Sequence, residues 1–144
     1  MTRAIHVLNG PNLNLLGTRE PGIYGTTTLV EIERMVSERA HALGFMSLFR
    51  QTNHEGVLID WLQEADSAAA HAVLLNAAGY THTSIALLDV IKAISVPVIE
   101  VHLSDPAARE PFRRISFVGE AAVDRVQGLG PGSYIEALDR AARL

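Results

Sequence analysis

The sequence predicts a single α/β domain built on a parallel β-sheet with helices on both faces. Three observations carry that expectation. Short apolar runs alternate with longer segments of helical spacing along the chain. The runs are apolar almost without interruption, as strands buried on both faces must be. No linker, repeat or low-complexity stretch divides the 144 residues, so the expected domain spans 1–144. A chain of this size buries roughly 68–70% of its unfolded surface, enough for a core without staples.

Residues 4–8 (AIHVL) read as a buried strand stopped by Asn9-Gly10-Pro11-Asn12. Residues 10–27 hold four glycines and two prolines, and a loop of this length in a compact domain reads as a functional lid. Thr28-x-x-Glu31 is a capping box. Leu29, Ile32, Val36, Ala40 and Leu43 follow it at helical spacing, and Gly44 supplies the stop. A second strand is expected over 45–49 and a second helix over 55–69, with Leu58, Trp61, Leu62 and Ala65 on one face. A third strand is expected over 72–75. Thr81 is read as the cap of a helix reaching Ile94, with Ile85, Leu88 and Ile91 inward. A fourth strand over 96–101 precedes a polar segment, 105–114, with room for a short helical turn. A fifth strand is expected over 115–118. Ser133-x-x-Glu136 reads as a second capping box, opening a helix with Leu138, Ala141 and Leu144.

The composition excludes several chemistries. The chain has no cysteine, so thiolate nucleophiles, redox pairs and cysteine zinc sites are out. Its one lysine, Lys92, falls inside a predicted helix, away from every strand end, which argues against an imine mechanism. A net charge of −4 and a pI near 5.8 speak against a nucleic-acid partner. No apolar run approaches the ~18 residues a spanning helix needs, and the start of the chain is too short for a signal-peptide core. The expected setting is the cytoplasm, with no membrane partner.

In open α/β sheets ligands bind beyond the carboxyl ends of the strands. Those ends are polar here: Asn9 and Asn12; Arg50, Gln51 and Asn53; Asn76, followed by Thr81, His82, Thr83 and Ser84; then Glu100, His102 and Ser104. Taken singly, such residues more often cap helices or close turns. Six or more on one edge are hard to explain by caps alone. Glu100, His102 and Ser104 stand at i, i+2 and i+4, so they can share one face.

No G-x-x-x-x-G-K-[ST] loop and no G-x-S-x-G elbow is present. Gly128-Leu129-Gly130-Pro131-Gly132 reads as a tight turn rather than a phosphate loop. Glu100-x-His102 is a weak metal signal on its own, and no carboxylate–histidine cluster has metal spacing. General acid–base chemistry is left. Histidine is the side chain that carries protons near neutral pH, which points to His102. Tyr24 follows Arg19 by five residues in the glycine-rich loop. A tyrosine is a poor base unless a cation stabilises its anion, and Arg19 can supply one. The spacing fits equally an aromatic that packs the loop closed.

Four segments carry a resemblance: LNGPNLNLLGTREPGIYG (8–25), QTNHEGVLIDWLQEA (51–65), NAAGYTHTSIALLD (76–89) and PVIEVHLSDPAAREPFRR (97–114). In order and without large gaps, from about residue 5 to 138, the chain resembles type II 3-dehydroquinate dehydratase. The resemblance implies a flavodoxin-like doubly wound fold of five parallel strands. It implies reversible dehydration of 3-dehydroquinate to 3-dehydroshikimate through an enolate, in the shikimate pathway to aromatic amino acids, with no cofactor, metal or imine. It implies a homo-oligomer, a dodecamer built from trimers. It also implies roles. Tyr24 is the general base, Arg19 supports its anion, Asn12 helps hold the enolate, His102 protonates the departing hydroxyl, and Glu100 orients His102. Asn76, His82, Asp89, Leu103, Ser104 and Arg113 bind substrate, Asp89 from a neighbouring subunit, and Arg109 pins the lid.

Ala77, Leu88, Arg114 and Asp124 depart from residues usual in that family. They bear on subunit contacts and the last strand more than on the chemistry. Two other readings stand beside the leading one. One is the same reaction serving quinate breakdown. The other is a flavodoxin-like binding domain or scaffold without catalysis, against which the joint presence of Asn12, Arg19, Tyr24, Glu100, His102 and Arg113 speaks.

Overall fold

A computed structural model of the chain describes residues 2–18 and 20–144, with the side chains of all of these except Tyr24. Five strands form one all-parallel sheet in the order β2-β1-β3-β4-β5. They are β1 (Ala4–Asn9), β2 (Met46–Gln51), β3 (Ala72–Asn76), β4 (Val98–Val101) and β5 (Asp124–Val126). The helices are a single turn, α1 (Pro21–Tyr24), then α2 (Leu29–Ala42), α3 (Glu55–Ser67), α4 (Ile85–Ala93) and α5 (Gly132–Ala142). This is the doubly wound architecture the alternation implies.

The layering follows from side-chain period. Ile5 and Val7 of β1 pack with Ile32, Val36 and Ala40 of α2 and with Tyr134, Ala137 and Leu138 of α5. Leu8, Val73 and Leu75 point the other way, onto Leu58 and Leu62 of α3 and Leu87, Val90 and Ile91 of α4. Both faces of the inner strands are thereby removed from water, which is why those strands read as unbroken apolar runs.

The chain leaves β1 at the point where strand order reverses. Gly10 N–H donates to Asn76 O at 2.8 Å across to β3. A Cβ on Gly10 would stand 2.6 Å from Ala77 O, so only glycine lets the two strand ends approach this closely. The loop that follows is not free along its whole length: Leu13 and Leu16 are buried in the α2/α5 core.

Several sequence expectations need correction. The fifth strand is Asp124–Val126, not 115–118. The Ile115–Val118 run is split among different tasks. Ile115 is exposed, its carbonyl accepts from His82, Ser116 bonds Glu100, and Val118 alone enters the core. The true strand looks polar because it is an edge. Asp124 pairs with Arg140 of α5, and Arg125 pairs with Glu100. Ser84, not Thr81, caps α4: its Oγ accepts from Leu87 N–H at 2.9 Å, while Thr81 lies in the 3-10 turn Ala78–His82. The inward face is Leu87, Val90 and Ile91, so Ile91 is as expected, whereas Leu88 is half-buried and Ile85 is 57% exposed. Ser133 is inside α5 rather than at its cap, and its Oγ accepts from Leu129 N–H. Leu144 lies past the helix and is exposed. The capping box at Thr28 holds: its side chain accepts from Glu31 N–H. Among the described residues no helix is long and apolar enough to cross a membrane.

Candidate active site

The carboxyl ends of β1, β3 and β4 open onto a cleft of about 120 Å³. Asn12, Asn76, His82, His102, Leu103, Ser104, Arg109 and Arg113 line it, together with Pro11, Leu13, Ala78, Gly79 and Pro106. Among the described residues no carboxylate lines it, whereas two arginines and two histidines do. The lining thus suits an anion with hydroxyl groups.

His102 and Glu100 are bonded. Glu100 sits on β4 and is 1% exposed, and His102 follows the strand. The expected i, i+2 alignment brings Nε2 to 2.6 Å from Glu100 Oε2. An ionised carboxylate only accepts, so Nε2 carries the hydrogen. That leaves Nδ1 as the ring nitrogen able to exchange a proton with a ligand. Burial is the largest single influence and pushes the Glu100 carboxyl up, but the hydrogen bond and charge of His102 together with donors from Ser116 and Arg125 hold it down to about 2.

His82 stands over the pair, its ring 6.4 Å from that of His102 and nearly parallel. Its Nδ1–H donates to Ile115 O at 2.7 Å. Burial lowers its pKa, the Ile115 carbonyl works against that, and His102 and Arg113 add to the lowering. A neutral imidazole fixed in this tautomer presents Nε2 as an acceptor, suited to a hydroxyl donor.

The floor is a buried relay from α5. Tyr134 O–H donates to Asn9 Oδ1 at 2.6 Å, and Asn76 Nδ2–H donates to Tyr134 Oη at 2.9 Å. Ala78 N–H closes the chain on Asn76 Oδ1 at 3.2 Å. Burial pushes the Tyr134 hydroxyl far above its ordinary range, opposed by the Asn76 bond, so it stays a donor. Asn76 therefore keeps one Nδ2 hydrogen for a ligand. Asn12 adopts φ 70°, a conformation asparagine tolerates, and its N–H donates to Asn53 Oδ1 at 3.1 Å. Leu103 carries backbone groups at the β4 end, and Arg109 Nη1 reaches Ser104 Oγ at 3.5 Å. Arg113 Nε donates to Glu110.

Not every candidate joins this cleft. Asp89 is exposed on α4, away from it. Arg19 and the Tyr24 side chain lie outside the described residues. Gln51 and Asn53 hold the loop after β1 instead: Gln51 Nε2 donates to Gly10 O and to Asn53 Oδ1. Arg50 pairs with Glu64 and lies over Trp61. Lys92 is exposed in the last turn of α4, outside the lining. Three contributors escaped the sequence reading: Tyr134, Ser116 and Arg125. Each reaches the site from a segment far along the chain, where no local pattern marks it.

Comparison with known proteins decides the family. The model of a family described as Dehydroquinase class II matches residues 3–142. The chain belongs to the class II dehydroquinase family. It is 56% identical over 144 residues to a 3-dehydroquinate dehydratase of Phenylobacterium zucineum, covering 100% of this chain and 99% of the relative. It is 57% identical over 141 residues to one of Caulobacter vibrioides, covering 98% and 96%. The crystal structure of a type II dehydroquinase from Propionibacterium acnes superposes with a TM-score of 0.95 at 40% identity, covering 100% and 99%. Class II dehydroquinase membership accounts for the fold and for a cleft at the strand ends.

The buried Glu100 charge makes a pH prediction. Its folded pKa of about 2 lies below the unfolded 4.5, so its stabilisation is fully present above 4.5 and is lost as pH falls through about 2. Glu100→Gln is expected to be less stable than the parent at neutral pH by about 1–3 kcal/mol, with the gap closing as the medium is acidified towards pH 2. Urea unfolding across pH 2–7 reads this. A gap that stays constant over that range would contradict an ionised, partner-stabilised Glu100.

Proposed function

We propose that this chain catalyses the reversible dehydration of 3-dehydroquinate to 3-dehydroshikimate, the hydro-lyase step of the shikimate pathway. The observation that carries the reading is a carboxylate-oriented histidine at the mouth of a cationic cleft, in a member of the class II dehydroquinase family.

Tyr24 acts as the base, removing the proton from the carbon beside the substrate ketone, and Arg19 favours the phenolate. The carbonyl oxygen gains charge as the enolate forms, and Asn12 stabilises it. The enolate then expels the hydroxyl across the new double bond. His102 gives that hydroxyl a proton, so it leaves as water, and Glu100 holds the ring in place. The substrate carboxylate is bound by the backbone N–H groups at Leu103 and Ser104, the Ser104 hydroxyl and the remaining Asn76 donor. Arg113 serves the ring hydroxyls, and the neutral His82 accepts from one of them. No step uses a metal, a cofactor or Lys92.

The cleft has no carboxylate of its own among the described residues, and Asp89 is exposed on a separate face. We place Asp89 in the site of a neighbouring copy, within a dodecamer of trimers acting in the cytoplasm. The exposed Ile85 and half-buried Leu88 beside it fit a helix face covered by another subunit.

Mixing the protein with 3-dehydroquinate is expected to raise the ultraviolet absorbance of a conjugated enone, unaffected by borohydride or chelators. No rise with verified substrate overturns the reaction assigned. Tyr24→Phe is expected to lose about 10²–10⁴-fold in turnover while still binding substrate. Normal turnover in that variant removes Tyr24 from the role of base. Sedimentation of the intact protein is expected to show an assembly far larger than a monomer. A fully active monomer refutes the role given to Asp89.

A further inference from the structure

Glu100 receives more than His102. Ser116 O–H donates to Oε2 at 2.7 Å, and Arg125 Nε–H donates to Oε1 at 2.7 Å. Glu100 and Arg125 are register partners on β4 and β5, so the backbone ladder sets the approach of the guanidinium. Gly119 leaves room for it. A Cβ at that position would stand 2.4 Å from Arg125 Nη2 and 2.9 Å from Glu100 Oε1. The residue's φ is not in the left-handed region, so its small size is what the site uses. A second cavity of about 20 Å³, room for one water, lies against Glu100, Ser116, Arg125 and Gln127.

We propose that Arg125 is a positioning residue for the proton transfer from His102: its guanidinium clamps Glu100 Oε1 and so fixes the carboxylate plane that presents Oε2 to His102 Nε2. The proposal rests on His102 acting as the acid. A carboxylate bonded only through Oε2 can rotate about its last torsion, and that motion carries the imidazole off line. Two anchored oxygens cannot swing this way. The guanidinium does not touch the cleft, so it acts through Glu100 alone. The charged and titratable groups facing Glu100 are His102 beyond its own strand, Arg125 on β5, Arg113 and Arg114 from the segment after β4, and His82 from the turn before α4. Burial works to raise the Glu100 pKa, and donors from His102, Ser116 and Arg125 hold it down. Without the Arg125 donor the carboxylate takes up a proton at higher pH.

Steady-state kinetics of the intact assembly on 3-dehydroquinate across pH test this. Arg125→Ala is expected to lower kcat about 10-fold, less than loss of the acid itself, with KM within about 2-fold of the parent. The acid limb of its kcat profile is expected to move to higher pH, and Arg125→Lys is expected to recover part of both changes. Should the alanine variant fold poorly by circular dichroism, Arg125→Met, which keeps an apolar stem and carries no N–H to donate to Glu100 Oε1, reads the same quantities. A kcat and acid limb equal to the parent's, or a loss seen in KM alone, overturns the proposal. His102→Ala separates the two readings. If it turns over normally, both the acid assignment and the proposal fall. If it is inactive while Arg125→Ala behaves as the parent, only the proposal falls.

Discussion

The structure turns on one buried negative charge. A carboxylate with 1% exposure is cut off from bulk water, and an isolated buried ion is prohibitively costly. The fold answers with three donors from three places: His102 just beyond the same strand, Ser116 from the connection that follows, and Arg125 from the neighbouring strand. Removing any one leaves part of a charge unpaired. The same arrangement fixes which nitrogen of His102 bears the hydrogen, so a requirement of folding also sets up the chemistry.

A second polar relay works in the same way under the other half of the cleft. Tyr134 is fully buried, yet its hydroxyl satisfies both Asn9 and Asn76. These asparagines end neighbouring strands at the reversal of strand order, where Gly10 lets the strands approach. Helix α5 thus braces the ends of β1 and β3 from below, while β5 braces β4 from the side. Asn76 ends β3 and His102 follows β4, whereas Asn12, His82, Arg109 and Arg113 reach the cleft from connecting loops and 3-10 turns, and the loop after β1 is tied down by Leu13 and Leu16.

Much of this was legible in the sequence, for physical reasons. Inner strands are buried on both faces, so β1 and β3 are written as apolar runs. The polar strand ends gave the position of the cleft. The alternating spacing of Glu100 and His102 gave their contact. What escaped was encoded in pairs rather than in local pattern. Asp124–Val126 looks nothing like a strand until Glu100 and Arg140 are placed beside it. Thr81 and Ser84 are both good caps, and only the 3-10 turn before α4 decides between them. Gln51, Asn53 and Arg50 were polar strand-end residues too, and they hold loops and helices, as most such residues do. The assignment of Asp89 came from the family resemblance alone, and within one chain that residue is exposed on α4 outside the cleft lining.

The central claim is that Glu100 accepts from His102 Nε2–H and leaves Nδ1 for proton exchange. Nitrogen-15 NMR of the histidine rings in the ligand-free protein tests it most directly, with His102 assigned by its loss in His102→Ala. In the neutral ring, the account predicts a hydrogen on Nε2 and a bare Nδ1. A His102 ring that carries its hydrogen on Nδ1, with Nε2 bare, would contradict it.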